Sequence, residues 1–188
     1  MTCENCDPKT YYPGKVVRCS LDLEHCYICG SFLDGLVLKA GIRMWDQYFY
    51  TICIAVASKS PCLSRHIGAI LVRDHSIVST GFNGPSRGIP HCTSVCPRKF
   101  LGYASGTHLE LCPAQHAEEN AISNAARLGI STIGTTLYMN CIVPCKNCFG
   151  TLINAGIVEI VVDDVKVYDK HTQYLIDNSN IKIRRFEL

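Results

Sequence analysis

Two short strings constrain this chain more than anything else in it: His116-Ala117-Glu118 and Pro144-Cys145-Lys146-Asn147-Cys148. One imidazole and two thiols form a donor set that zinc favours, in a tetrahedral shell whose fourth position is left to water. The fold must therefore bring two distant segments to one point. Local sequence supports this. Ala117, Ala121, Ile122, Ala125 and Ala126 have helical spacing and strong helix formers, ending near Gly129. Pro144 suits a first helical turn. Phe149, Leu152 and Ile153 form one apolar face before Gly156. Both ligand strings thus open helices, whose positive ends favour thiolates and developing negative charge.

The combined pattern His-x-Glu … Pro-Cys-x-x-Cys resembles the general signature of zinc-dependent nucleobase deaminases. Zinc lowers the pKa of its bound water towards about 7, so hydroxide is available at neutral pH. Glu118 stands two residues past His116 and cannot easily share the ligand's direction. It can sit beside the water instead, accept its proton, pass it to a ring nitrogen and later protonate a departing amine. A lone Cys-x-x-Cys is often structural, and a lone His-x-Glu says little. Both together, in this order and each opening a helix, specify a catalytic metal site.

The chain of 188 residues suits one main domain with a small appendage. Its 47% hydrophobic and 18% charged residues describe a folded globular protein. No apolar run is long enough to span a bilayer, and no basic start precedes an apolar signal core. The expected compartment is cytoplasmic. Thirteen cysteines in such a compartment favour metal ligation over disulfides. A formal net charge of +2 leaves little for a broad electrostatic grip on nucleic acid, although a local positive pocket for a small anion remains possible.

Residues 1–35 read as a separate zinc-ribbon-like segment. Cys3, Cys6, Cys26 and Cys29 form two knuckle-like pairs, and Gly30 suits the turn after the second. A segment this short needs metal to supply its folding energy. It carries Lys9, Lys15 and Arg18 against Glu4, Asp7, Asp22, Glu24 and Asp34, three positive against five negative, a balance of −2. That favours a stabilising or subunit-contacting role over nucleic-acid binding.

Residues 40–188 form the main domain. A helix is expected over 43–58, with Trp45, Tyr48, Phe49, Ile52 and Val56 on one core-facing side. Strands follow over 67–72 and 77–80, separated by 73–76, and then a turn-rich string, Gly81-Phe82-Asn83-Gly84-Pro85. Residues 91–115 form a cysteine-bearing insertion without clear period. Helix 116–128, strand 135–140, helix 144–155, strand 157–162, helix 168–178 and strand 181–186 complete the chain. Alternating strands and helices predict an α/β layered fold.

These residues resemble the deoxycytidylate deaminases of the cytidine deaminase superfamily. The resemblance covers about residues 43–162. It rests on Arg65-His66-Ile67-Gly68-Ala69-Ile70, Gly81-Phe82-Asn83-Gly84-Pro85, Gly106-Thr107-His108-Leu109-Glu110-Leu111-Cys112, His116-Ala117-Glu118, Asn120-Ala121-Ile122, Pro144-Cys145-x-x-Cys148 and Asn154-Ala155-Gly156-Ile157. The Gly-Phe-Asn-Gly-Pro string and the long insertion point to the deoxycytidylate branch. The resemblance implies a three-layer α/β/α domain with a mixed sheet of about five strands. It implies a hydrolase that converts dCMP to dUMP and ammonia for dTTP synthesis, with Glu118 as proton shuttle and His116, Cys145 and Cys148 on zinc. Asn83 would bind the sugar hydroxyl and the Ala117 backbone the pyrimidine edge; Arg65 is a candidate for the phosphate, whose geometry a guanidinium suits, or else a solvated surface arginine. Homohexamers, dCTP as activator and dTTP as inhibitor are implied likewise. So is a second zinc near the site, for which Cys62, Cys92, Cys112 and either His108 or Cys96 are candidates. The alternative for Asn83, less favoured, is a left-handed turn residue. Cys53 and Cys141 read as core. Val143 and Pro113 depart from the family pattern at the pocket rim. Two other readings stand beside this one: a deaminase of tRNA or nucleic-acid bases, and a non-catalytic zinc-binding interaction protein on the same fold.

Overall fold

The computed structural model describes residues 37–92, 96–104 and 107–188, with side chains from Trp45 onward. Cys3, Cys6, Cys26 and Cys29 lie outside the described residues. Strand β1 (Gly68–Arg73) pairs antiparallel with β2 (Ser76–Phe82). The connection is tighter than the expected 73–76. Asp74 and His75 both take positive φ, 50° and 59°, the conformation that lets a two-residue turn follow the strand twist. On its other edge β1 pairs antiparallel with β5 (Thr136–Ile142). Next come β6 (Glu159–Asp164) and β7 (Lys182–Arg185), each parallel to its neighbour. The result is the expected mixed five-stranded sheet, ordered β2-β1-β5-β6-β7.

Period-two patterning builds the layers. Ala69, Leu71, Leu137, Met139, Ile160 and Val162 are buried on one face. Packed on it are α3 (Ala117–Arg127), through Ala117 and Ala121, and α4 (Lys146–Asn154), through Phe149 and Leu152. Leu175 and Ile176 of α5 (Lys170–Asp177) join them. Ile70, Val72, Tyr138 and Val161 face the other way, against Phe49 and Cys53 of α1 (Val37–Ala57). In the insertion the chain makes α2 (Pro97–Phe100), a 3₁₀ turn at Leu109–Leu111, and a short antiparallel pair, β3 (Gly84–Pro85) with β4 (Ala114–Gln115).

The stripe on α1 differs from the expectation. Phe49 and Cys53 are fully buried, but Trp45 is 40% and Tyr48 51% exposed. Trp45 lies over the hairpin turn instead, stacked on His75 at 4.3 Å. The place expected for aromatic surface is taken by a charge: Asp46 is 1% exposed. Its carboxylate accepts both terminal nitrogens of Arg184 and the Glu187 backbone N–H, and Arg184 Nε donates to Glu159 at 3.1 Å. This ties α1 to the far end of the sheet.

Two glycines set how closely the helices lie. A Cβ on Gly68 would stand 2.1 Å from Cys53 O of α1, and one on Gly81 would stand 2.2 Å from Ala121 N and 2.4 Å from Ala117 O of α3. No helix among the described residues is long and apolar enough to cross a membrane.

Candidate active site

Both ligand strings sit at helix starts, but in a particular way: His116 and Cys145 are themselves the N-cap residues of α3 and α4, with extended backbones (ψ 157° and 165°). Pro144 therefore stands outside the first turn rather than in it. A residue before proline is disfavoured from helical conformation, so α4 cannot begin at Val143, where the chain bends after β5 ends at Ile142. The α3 start is anchored to the sheet. Asn120 Nδ2 donates to Phe82 O at 2.8 Å, and Ser79 Oγ to Ala121 O at 2.6 Å.

The α4 start is anchored by a residue outside both strings. Asp169 accepts Lys146 N–H at 2.8 Å through Oδ2 and His171 N–H at 2.9 Å through Oδ1. One carboxylate thus caps α4 and α5 together, and the Lys146 N–H holds it below its ordinary pKa. Thr172 Oγ1 also donates to Pro144 O.

These anchors converge three donors. His116 Nδ1 lies 3.3 Å from Cys148 Sγ and 3.7 Å from Cys145 Sγ, and the sulfurs are 3.5 Å apart. A tetrahedral zinc with ordinary bond lengths would set sulfur–sulfur at about 3.8 Å and sulfur–nitrogen at about 3.6 Å. The observed edges fit that ion closely, and the soft donor set is its own. Among the described residues this is the one such group with all ligand atoms within 4.8 Å of one another. The three groups are electrostatically coupled: the hydrogen bond with Cys145, then burial, pushes the Cys148 thiol up. Hydrogen bonding with Cys148, then with His116, brings the Cys145 thiol down to about 4. Contact with Cys145 holds His116 up to about 9. Cys145 is therefore ready as a thiolate, the form that binds metal.

Glu118 is 4% exposed, with Oε1 3.8 Å from His116 Nδ1. Burial pushes its carboxyl pKa up. It faces a cavity of about 310 Å³ lined also by Ala117, Asn83, Arg65 and the ligands His116 and Cys145.

The structure brings most of the sequence candidates to this cavity, with differences. Asn83 is 8% exposed and not in left-handed conformation. Its Oδ1 accepts from Ser60 Oγ and Ile67 N, and its Nδ2 donates to Arg65 O. One N–H remains for a ligand, less than a free side chain would offer. Arg65 is exposed at the rim. Ala117 is fully buried in the first turn of α3. Cys62 and Cys112 line the cavity, and Cys92 and Cys96 are buried. The Cys92 thiol is pushed up by burial and by the charges of Cys96, Cys112 and Cys62. They do not close into a group within 4.8 Å, and His108 is engaged elsewhere, stacked on Tyr103 at 3.8 Å and bonded to Glu110. Cys53 is core, and Cys141 packs against the core while also lining the cavity.

Three cavity or anchoring residues were missed in the sequence reading. Asp169 carried a helix-start signal, aspartate before a helical stretch; its second partner is remote in sequence. Tyr168 and Arg98 carried none.

Fold and donor set together define an α/β/α domain built round a zinc-type site with a buried carboxyl beside it. Residues 43–163 match the family model described as the cytidine and deoxycytidylate deaminase zinc-binding region. The chain belongs to that family. It is 33% identical over 144 residues to the deoxycytidylate deaminase of Schizosaccharomyces pombe, covering 76% of this chain and 44% of that one. With the enzyme of that name from Mycobacterium phage D29 it shares 37% over 124 residues, 62% of this chain and 92% of the phage protein. The chain spans under half the length of its yeast relatives. A solved structure of the cyanophage S-TIM5 dCMP deaminase with dCMP and dUMP has the same fold: TM-score 0.58, 20% identity, covering 81% of this chain and 98% of that one.

Proposed function

We propose that this protein hydrolyses dCMP to dUMP and ammonia. The observation that carries the reading is Glu118, a buried carboxyl beside three converging zinc donors and open to a cavity of about 310 Å³. A structural metal site has no use for such a group. Support comes also from the deoxycytidylate deaminases it resembles and from the neighbour whose structure holds dCMP and dUMP.

His116, Cys145 and Cys148 would hold zinc, which when bound makes water acidic enough to act as a nucleophile at neutral pH. Glu118 takes the proton of the attacking water as its oxygen bonds the amino-bearing ring carbon, and passes that proton to the adjacent ring nitrogen. It then delivers the second water proton to the exocyclic nitrogen as the carbon–nitrogen bond breaks and ammonia leaves. Ala117, at the start of α3, offers backbone to the pyrimidine edge, and the remaining N–H of Asn83 a donor to the sugar.

The resemblance carries further expectations within this reading: dUMP for dTTP synthesis, activation by dCTP, inhibition by dTTP, a homohexamer, a cytoplasmic location, and structural zinc at Cys3, Cys6, Cys26 and Cys29 and near Cys62, Cys92 and Cys112.

Glu118→Gln tests the core of it. Zinc content should stay at the wild-type level while dCMP turnover falls by about 10²–10⁴-fold, the usual contribution of a proton-transferring group. Turnover within tenfold of wild type overturns the role. Parallel assays with deoxycytidine and a single-stranded oligonucleotide fix the substrate class; preference for the oligonucleotide favours the nucleic-acid reading.

A further inference from the structure

Arg98 is the one cation of the cavity wall that the protein has buried. It is 7% exposed, whereas Arg65 and Lys166, which line the same cavity, are exposed. Its guanidinium is held on two sides by neutral oxygens: Nε donates to Thr107 O at 2.7 Å and Nη2 to Ala104 O at 2.9 Å. Its own carbonyl accepts Tyr103 N–H, so the short helix α2 and the loop after it close round it. Nη1 has no hydrogen-bond partner among the described residues, and no carboxylate there lies within 4 Å of the group. Glu110 feels its charge but is exposed and bonded to His108.

Carbonyls orient a buried guanidinium; they do not neutralise it. The missing counter-ion has to come from elsewhere. Among the described residues that line the cavity, Glu118 is the only carboxylate, and no ion pair joins it to Arg98. The cavity wall thus presents a fixed, buried positive charge whose Nη1 has no partner among the described residues, a geometry matched to the oxygens of a phosphate. Because two bonds already fix the side chain, little freedom is lost when the third partner arrives.

We infer that Arg98, held by the Ala104 and Thr107 carbonyls at the cavity wall, is the anchor for the 5′-phosphate of the nucleotide. The inference rests on the deaminase reading for the identity of the ligand. It moves the phosphate contact from the exposed Arg65 to a residue of the insertion. The insertion then becomes the element that separates nucleotide from nucleoside.

Equilibrium binding of dUMP and deoxyuridine to the zinc-loaded protein, measured by calorimetry, tests this without turnover. Wild type should prefer dUMP by about 100-fold or more, the scale of a charge-assisted pair. Arg98→Gln should lose at least nine-tenths of that ratio while deoxyuridine affinity stays within about twofold. Arg65→Gln and Lys166→Gln should each change the ratio only a few-fold. Equal loss of both ligands in Arg98→Gln would mean a loop staple and overturn the inference. So would an intact ratio in that variant, or its collapse in Arg65→Gln or Lys166→Gln, which keeps the test decisive even where Arg98→Gln fails to fold. If the phosphate preference depends on Arg98 while wild type fails to turn over dCMP, the deaminase reading is what has failed.

Discussion

Replacing Gly81 by alanine probes how the metal site depends on the sheet beneath it. The added Cβ would meet Ala121 N at 2.2 Å and Ala117 O at 2.4 Å, where ordinary contact begins near 3.4 Å. The obstacle is helix backbone, so no rotamer change relieves it, and α3 must withdraw by about 1 Å from the sheet. Overpacking costs typically 1–3 kcal/mol; with backbone as the obstacle the upper end applies, about 3 kcal/mol. In a protein of this size that lowers the thermal midpoint by roughly 6–12 °C. The withdrawal also carries His116 and Glu118 away from Cys145 and Cys148, because the pairs sit on different helices. Zinc affinity, read by competition with a chromogenic chelator at 20 °C, should fall about tenfold or more, as when ligand support is lost. Gly68→Ala is the control. Its Cβ meets Cys53 O at 2.1 Å, so it strains α1 on the opposite face. It should lower the midpoint comparably and leave zinc affinity within about twofold, a difference of under 0.5 kcal/mol. An unchanged midpoint in Gly81→Ala, or equal zinc loss in both variants, would refute the reasoning.

Arg184→Met strands the Asp46 carboxylate, 1% exposed, with only the Glu187 N–H. Breaking such a buried pair costs about 3–5 kcal/mol, so calorimetry should show a midpoint lower by roughly 6–20 °C, largely restored in Asp46→Leu/Arg184→Met. Asp169→Ala removes two caps at once, about 2 kcal/mol in sum. It should weaken zinc binding while Asp169→Asn retains part of it, as chelator competition would show. The Asp169 carboxyl is held below its ordinary value by Lys146 N–H. Its contribution is therefore present above the unfolded carboxyl pKa of about 3.9 and lost as pH falls through the folded value. A wild-type advantage over Asp169→Ala that grows below pH 3 would contradict that sign.

The architecture was legible because its signals are local. Ala69-Ile70-Leu71-Val72 alternates between the two faces of the sheet, and that alternation needs no partner to be read. Gly129 and Gly156 take positive φ just past α3 and α4, as helix-ending glycines do. Aromatic spacing on α1 misled for the converse reason. Period alone cannot tell a core face from one that covers a turn, and the true contact of Trp45 is His75, which lies in a separate element. Nothing in the sequence around Asp46 marks it as buried; its burial depends on Arg184, 138 residues away.

The same distinction divides the active site. The donors and Glu118 are bunched in two strings because a helix start presents several groups to one point. Their supports are not bunched, because a site built on two helix N-caps needs each cap tied to something else. For α3 that is the backbone of β2, through Asn120 and Gly81; for α4 it is Asp169, which caps its own helix with one oxygen and Cys145's helix with the other. A single carboxylate cannot satisfy two helix starts unless these are neighbours, so Asp169 fixes where α5 lies against α4 as well as where the sulfurs point. The residue inferred to hold the phosphate is less local still. The guanidinium of Arg98 gains its meaning only from the cavity that it and Glu118 both line, and nothing in the string Cys96-Pro97-Arg98-Lys99 distinguishes that arginine from the lysine beside it.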